Sequence, residues 1–306
     1  MAFKHISTVI DEAEKYIDDR RKGLIKSCKT GFTKLDKALL GGIEYGSVMS
    51  IGGRPGVGKT AFSSCLLRGI IKNNDTSNLE ILDFAWEMAA KSLLIRDLSA
   101  EMKMTYGDII SADDNKMLSD GKYDEVKETY NKYRKLPWHF EEDPKTTAIF
   151  SDIIKKRVEA FPKKKRIVRI DHSILAKQAA TEASQVTMLQ NLLGECVKLK
   201  KQSDIIFLVL TQIGRDFEDR QEDRTSKAYP KKSDPFGGDA VAQSSEIVLL
   251  LNKPSEYEIS YYGNSGKGCV VEDNDIFAHL VKNRNNEGNL ILHYKEDFKN
   301  MRISEW

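Results

Sequence analysis

Eight consecutive residues, 53 to 60, read GRPGVGKT and match the pattern GxxxxGK[ST]. Glycines at this spacing let a loop wrap closely around phosphate groups with its backbone N–H groups pointing inward. We expect Lys59 to reach the β- and γ-phosphates of a nucleotide and Thr60 to hold Mg²⁺. The predicted nucleotide-binding residues are Gly53, Arg54, Pro55, Gly56, Val57, Gly58, Lys59, Thr60 and Ala61.

The surroundings of this motif favour a phosphate-binding loop (P-loop) over an ordinary glycine-rich turn. An apolar segment that reads as a strand precedes it, and a helical pattern follows from Lys59. The first turn of that helix adds partial positive charge toward a bound phosphate. We therefore predict binding and hydrolysis of ATP, or of a close relative, with Mg²⁺.

A P-loop also needs an acid near the Mg²⁺. Asp171 closes the predicted strand RIVRID, at the end where such an acid belongs. An ordinary aspartate at a strand end is the alternative interpretation. A second candidate, Asp83, lies within the strand LEILDFA rather than at its end.

Two further polar residues follow predicted strands. Glu87 follows the second strand, which we expect directly beside the P-loop strand, and it is a candidate to orient or deprotonate the attacking water. An exposed surface glutamate is the less favoured alternative. Gln212 ends the strand DIIFLVLTQ and either touches the γ-phosphate or makes only local hydrogen bonds.

Strands and helices alternate along the chain, which predicts an α/β fold with a mostly parallel sheet and helices on both faces. The last two strands are close in sequence and should pair as a hairpin. Residues 214–238 should be a long loop, 252–274 a loop or irregular hairpin, and Thr33 the N-cap of a short helix. Strands are predicted at 47–52, 79–85, 138–141, 166–171, 204–211, 246–251, 276–281 and 290–294, and helices at 4–22, 59–71, 88–103, 115–135, 147–160 and 183–202.

The composition is that of a globular domain. Of 306 residues, 40% are hydrophobic and 31% charged, and the formal net charge of +2 favours no class of charged partner. The four cysteines form no CxxC pair, so neither a zinc site nor a disulfide framework is expected. The charged N-terminus does not resemble a signal peptide, and no run approaches the ~18 apolar residues of a membrane span. We expect a reducing, cytoplasmic location.

The order of several motifs resembles the ATPase domain of the DnaB family of replicative helicases. The resemblance covers roughly residues 29–300 and rests on GGRPGVGKTAF, FAWEM, IVRIDHSIL, IIFLVLTQI, GGDAVAQSSEIVLLL and VKNRNNEG. It implies a RecA-like core, a hexameric ring and movement along single-stranded DNA. We accordingly divide the chain into an N-terminal linker helix and linker, 1–28, and a RecA-like ATPase domain, 29–306.

The resemblance also assigns roles. FAWEM implies that Glu87 is catalytic, and Gln212 matches the family's sensor glutamine. Lys282 and Arg284 read as a solvated hairpin tip by themselves. VKNRN, however, resembles the family's K-x-R pair, which reaches into the neighbouring subunit's nucleotide.

Three features depart from the family pattern. Only about thirty residues precede the core, where the family has a larger domain that supports primase. This would suit a compact, virus-encoded member acting in the host cytoplasm, with primase or loader contacts made elsewhere. His172 follows Asp171 where the family usually has tyrosine. The DNA loop lacks the expected arginine, and its candidate DNA contacts are Lys231, Lys232, Phe236, Gly237 and Gly238.

Other functions remain open from the sequence alone. TGFTKLDKALLGGIEYGS is also reminiscent of RadA- and KaiC-like proteins, so an ATPase of recombination or signalling is the alternative to a helicase. A protein that keeps ATP only as a structural ligand is a third possibility. Glu87 and Arg284 argue against it, because such a protein needs neither a base nor a trans-acting cation.

Overall fold

The computed structural model describes residues 3–222, 229–263 and 268–306. In these residues a nine-stranded sheet runs in the order β11-β10-β9-β6-β1-β5-β4-β2-β3, and β7 and β8 form a separate two-stranded sheet. The strands are β1 Ser47–Gly53, β2 Leu79–Ala85, β3 Trp138–Glu141, β4 Lys165–Asp171, β5 Ile205–Gln212, β6 Ile247–Asn252, β7 Tyr261–Tyr262, β8 Cys269–Val270, β9 Asp275–Asn283, β10 Leu290–Asp297 and β11 Arg302–Glu305.

The strands from β6 to β3 pair in parallel, whereas β9, β10 and β11 are antiparallel to their neighbours. The mostly parallel sheet and the β9–β10 hairpin are therefore confirmed. β11 was not predicted and extends the hairpin to three strands. The expectation that β2 lies directly beside the P-loop strand is wrong: β1 lies between β5 and β6, and both β5 and β4 separate it from β2.

Helices cover both faces of the sheet. Along β1 the side chains alternate, so Met49 and Ile51 pack on one face with α2 and α3 while Val48 packs on the other with α7 and α8. The helices are α1 Ile6–Arg21, α2 Thr33–Ala38, α3 Lys59–Asn73, α4 Ala90–Met102, α5 Tyr106–Ile110, α6 Asp120–Tyr133, α7 Thr147–Ala160, α8 Gln185–Lys200, α9 Asp216–Glu222 and α10 Gly238–Ser244.

Two local expectations are corrected. Residues 214–238 are not one long loop, because α9 forms within them and α10 begins at Gly238; residues 223–228 lie outside the described part. The N-cap of α2 is Phe32 rather than Thr33. The carboxylate of Glu305 in β11 instead accepts hydrogen bonds from the backbone N–H groups of Thr33 (2.8 Å) and Lys34 (2.6 Å). This carboxylate complements the partial positive charge of the helix start.

The N-terminal helix α1 has no buried residue. Its contacts with the rest of the described chain include a hydrogen bond from the Tyr16 hydroxyl to Glu44 and one from Arg20 to Ser27. Ile6, Ile10 and other apolar side chains of the helix are exposed. The division of the chain at residue 28 remains a prediction. Within the described residues, no helix is both long and apolar enough to cross a membrane.

Two helical glycines provide a matched test of the packing beneath the P-loop helix. A Cβ atom on Gly69 of α3 would overlap the carbonyl oxygen of Thr30, whereas one on Gly194 of α8 would meet nothing within 4 Å. We expect Gly69→Ala to lower the free energy of unfolding by about 1–3 kcal/mol, because the backbone must move. Gly194→Ala should raise it by about 0.5–1 kcal/mol, because alanine loses less conformational entropy.

Urea denaturation of both variants beside the parent protein measures the two changes. Equal shifts in the same direction would contradict the close contact between α3 and the segment that precedes α2.

Candidate active site

The P-loop connects the end of β1 to the start of α3. Gly56 and Gly58 have φ angles of 85° and 96°, in the left-handed region that favours glycine. The Lys59 ammonium is buried and donates hydrogen bonds to the carbonyl oxygens of Gly53 and Arg54, both at 3.0 Å. Burial lowers the pKa of Lys59, while the nearby carboxylates of Glu87 and Asp171 raise it. The loop thus places a buried cation where the motif predicts one.

Asp171 ends β4 and is only 2% exposed. Neither of its carboxylate oxygens has a direct hydrogen-bond partner among the described residues, although Thr60 lies close enough to favour the charged form. Burial raises the pKa of Asp171 to about 6, against the opposing effects of Arg169 and Thr60. A buried carboxylate without partners is costly, so a cation between Asp171 and Thr60 would compensate it.

The donor set at this point suits Mg²⁺ held jointly with a nucleotide. Among the described residues, no three His, Cys, Asp or Glu side chains group to form a metal cage. Mg²⁺ commonly binds one or two protein oxygens, keeps waters and takes its remaining ligands from substrate phosphates. Thr60 and Asp171 match that pattern.

The alternative acid, Asp83, is already engaged. Both of its oxygens accept hydrogen bonds from the guanidinium of Arg169, at 2.9 and 2.6 Å, and Oδ2 also accepts from the Trp138 indole at 3.1 Å. The two charged side chains are fully buried. Asp83 therefore has a structural partner, whereas Asp171 has free oxygens that face Thr60.

Glu87 lies beside Asp171 because the ends of β2 and β4 are joined. The backbone N–H groups of Trp86 and Glu87 donate to the carbonyl oxygen of Asp171 at 2.9 and 3.0 Å. The Glu87 side chain is about half exposed, which suits a carboxylate that must meet water. Its position thus depends on β4, not on a direct pairing of β2 with β1.

Gln212 ends β5 in register with Gly53 of the P-loop strand. Its side-chain amide lies 3.2 Å from Nε2 of His172, and the same ring nitrogen lies 3.6 Å from the Glu87 carboxylate. Burial lowers the pKa of His172, which favours a neutral ring that accepts from Gln212. The structure thus connects Gln212, His172 and Glu87. His172 was not among the predicted site residues, and its position directly after Asp171 was the signal for it.

Arg54 is bound by residues that follow β5. Its guanidinium donates to the carbonyl oxygen of Ile213 at 3.0 Å and pairs with Glu218 of α9. The P-loop is therefore tied to the segment that directly follows Gln212.

Arg284 lies at the opposite edge of the sheet from the P-loop of its own chain, whereas Lys282, level with Ser50, lies partway along β1. β9 is antiparallel to β6, and the Arg284 N–H donates to the carbonyl oxygen of Glu246, whose own N–H donates to Val48. Val48 and Gly53 are five residues apart along β1, a span of about 17 Å at ~3.3 Å per residue. Arg284 is thus separated from the phosphate-binding end of its own β1.

The predicted DNA contacts lie between β5 and α10. Lys231 and Lys232 are exposed, but Phe236 is partly buried against the core, and its N–H donates to the carbonyl oxygen of Gln212 at 2.7 Å. Gly237 has a φ of 65°, and a Cβ atom on Gly238 would lie 2.5 Å from the Ser233 carbonyl oxygen. Phe236 and the glycines therefore shape the loop, while the lysines remain accessible.

Comparison with known proteins identifies the family. The family model described as the DnaB-like helicase C-terminal domain matches residues 27–302. The chain belongs to this family. Its fold is also shared with solved structures: the chain superposes on one solved ATPase domain with a TM-score of 0.80 at 19% identity, covering 97% of this chain and 98% of that one.

A second similar structure is a DnaB-like replicative helicase described with its interactions with primase. The TM-score is 0.79 at 18% identity, over 97% of this chain and 68% of that one. Among curated relatives, the replicative DNA helicase DnaB of Helicobacter pylori is 24% identical over 290 residues, and that of Rickettsia prowazekii is 26% identical over 289. These alignments cover 92% and 88% of this chain but 57% and 56% of the relatives. The chain thus spans little more than half of their length.

Within the DnaB-like domain, Glu87 is the group whose chemistry is most directly testable. Glu87→Gln should retain binding of a Mg²⁺–ATP analogue and slow hydrolysis by ~10² or more, because the amide cannot accept the proton of the attacking water. Lys59→Ala should instead lose most of the nucleotide binding. Fluorescent-nucleotide titration and a phosphate-release assay separate the two effects. Hydrolysis by Glu87→Gln at the parent rate would exclude Glu87 as the base.

Proposed function

We propose that this protein is an ATP-driven helicase that translocates on single-stranded DNA as a homo-oligomeric, hexameric ring. Family membership supports this interpretation, as does the grouping of Lys59, Thr60, Asp171 and Glu87 at one edge of the sheet. The family match does not favour the alternative of a recombination or signalling ATPase.

The observation that carries the ring is the position of Arg284. Arg284 is bound to Glu246, which also contacts Val48, and Val48 lies about 17 Å from Gly53 at the ~3.3 Å rise per strand residue. Any action of Arg284 on a γ-phosphate is therefore more readily made on a neighbour's. A P-loop on one edge and its partner cation on the other define a head-to-tail interface. Head-to-tail interfaces that close produce rings.

The chemistry of the site follows from its residues. P-loop N–H groups and Lys59 would hold the phosphates of ATP, and Thr60 and Asp171 would hold Mg²⁺, which would neutralise negative charge on those phosphates. Glu87 takes a proton from the attacking water. Gln212 touches the γ-phosphate. When that phosphate is lost, Gln212 transmits the change to the loop that begins at Ile213.

DNA is held by its phosphate backbone, without sequence preference. Lys231 and Lys232 supply the charge, and backbone amides near Gly237 and Gly238 supply further hydrogen bonds. The exposed apolar side chains of α1 dock on the core of the next subunit and brace the ring. A primase or a loader is a further candidate partner, since one similar structure is described with its interactions with primase.

Replacing both loop lysines tests the DNA interface. The double variant Lys231→Ala and Lys232→Ala should weaken binding to oligo-dT in the presence of an ATP analogue. The slope of log K against log salt should fall by about 0.7 for each lost phosphate contact. Fluorescence anisotropy at several salt concentrations measures it.

The matched control is Lys155→Ala with Lys156→Ala, an adjacent lysine pair on α7 that is also exposed. It should leave the slope unchanged. If the parent protein shows no DNA binding at low salt with the analogue present, the proposal of a DNA motor is contradicted.

Mixing inactive subunits tests the trans role of Arg284. Arg284→Ala and Lys59→Ala proteins should each be inactive alone, because a trans arginine contributes ~10³ or more to the rate in related phosphoryl transfers. In mixed rings some interfaces pair an intact P-loop with an intact Arg284, so ATPase activity should partly return.

Light scattering or native mass spectrometry confirms that mixed oligomers form. If they form and no activity returns, Arg284 has no trans role, and the ring proposal loses its main support.

A further inference from the structure

Arg284 is held by the carboxylate of Glu246, a residue of the segment GGDAVAQSSEIVLLL. Its Nη1 atom donates to Oε1 of Glu246 at 3.1 Å, and its backbone N–H donates to the Glu246 carbonyl oxygen at 2.9 Å. The Arg284 side chain is 55% exposed, whereas that of Glu246 is 13% exposed. The guanidinium thus lies at the surface and is bound by a carboxylate that is mostly shielded from solvent.

Glu246 is itself fixed from several sides. Its Oε2 atom accepts from the backbone N–H of Val48 at 2.9 Å and pairs with the ammonium of Lys200, at the end of α8. The Glu246 N–H in turn donates to the carbonyl oxygen of Val48 at 2.9 Å. Because β1 and α8 both hold this carboxylate, it has little freedom to move with Arg284.

The charges at this point leave Arg284 available to an external anion. Glu246 carries one negative charge, and the buried Lys200 already balances it. Arg284 adds a second cation, so the three side chains keep a net charge of +1. Glu246 therefore orients the guanidinium without cancelling its attraction to a phosphate.

Lys282 is held by the same segment of chain. Its ammonium donates to the carbonyl oxygens of Ala242 and Ser245, at the C-terminal end of α10. A β-bulge where β9 meets β6, between Val248 and Leu249, adjusts the register just ahead of the basic pair. Both cations are thus fixed by residues 242–246, which directly follow the loop with the predicted DNA contacts.

We propose that Glu246 is a positioning residue that orders Arg284 for the nucleotide site of the adjacent subunit; this rests on the trans role proposed above. A free arginine side chain loses rotamer entropy when it is ordered. Because the fixed Glu246 carboxylate already orders the arginine, part of that entropy is lost before the neighbour's nucleotide binds. The defect caused by removing Glu246 must then appear in the neighbour's site and not in its own.

The test variant is Glu246→Gln, which is nearly isosteric and keeps an oxygen for the Val48 N–H group. We expect kcat for ATP to fall by about tenfold with KM little changed, since small misplacements of a catalytic group cost up to ~10²-fold. Glu195→Gln is the matched control: Glu195 of α8 is also a poorly exposed, ion-paired glutamate, at 16% exposure. It should keep the parent kcat, and thermal melting confirms that both variants fold.

The deciding readout is complementation. Mixed with Lys59→Ala subunits, which carry intact Glu246 and Arg284, Glu246→Gln subunits should regain a higher rate per intact P-loop. A parent-like or raised kcat for Glu246→Gln alone overturns the proposal. The proposal is also overturned if Glu246→Gln lowers the rate and mixing with Lys59→Ala does not restore it, while the mixture of Arg284→Ala with Lys59→Ala does recover activity. In that case Glu246 acts only within its own chain. If the mixture of Arg284→Ala with Lys59→Ala also recovers no activity, the trans role of Arg284 itself is contradicted.

Discussion

The site depends on the register of its parallel strands. Gly53 pairs with Gln212, and Ala85 pairs with Asp171, so the ends of β1, β5, β4 and β2 meet at one edge of the sheet. A slip of one residue along β5 would turn Gln212 to the opposite face and move its apolar neighbours out of their core. Since most side chains of these strands are buried on both faces, such a slip is strongly disfavoured.

Buried charges within the sheet form the second support of the site. Arg169 pairs with Asp83 beneath the β4 end, and both are fully buried. Removing one partner of such a pair typically costs about 3–5 kcal/mol, because the other remains charged and unpaired. Arg169 also stands two residues before Asp171 and lowers its pKa against the effect of burial. The ion pair therefore has an electrostatic consequence for the candidate cation site as well as a structural one.

Patterns in the local sequence predicted most of the helices and strands. They did not predict which strands pair with each other. Glycine spacing and strand apolarity located the P-loop and β4, since both depend on nearby residues. The order of strands could not be derived, so β2 was wrongly placed beside β1. Likewise Glu305 caps α2 from about 270 residues away, and Glu246 holds Arg284 across two strands. Such contacts join residues distant in sequence. Glu305 lies outside the recognised motifs, and Glu246 lies within GGDAVAQSSEIVLLL, whose pattern gives no sign of a contact with Arg284.

The two carbonyl oxygens that hold Lys59 make nucleotide binding an exchange. The ammonium is already coordinated by Gly53 and Arg54, so an arriving phosphate must replace one set of oxygens with another. The net free energy of binding is then the difference between two coordinated states of the same buried cation, not the full attraction of a bare charge. A monovalent anion therefore gains little binding free energy from replacing the carbonyl oxygens. A polyphosphate gains more, because it also accepts hydrogen bonds from the N–H groups of the loop. Selectivity for triphosphates over smaller anions can thus arise in the resting loop.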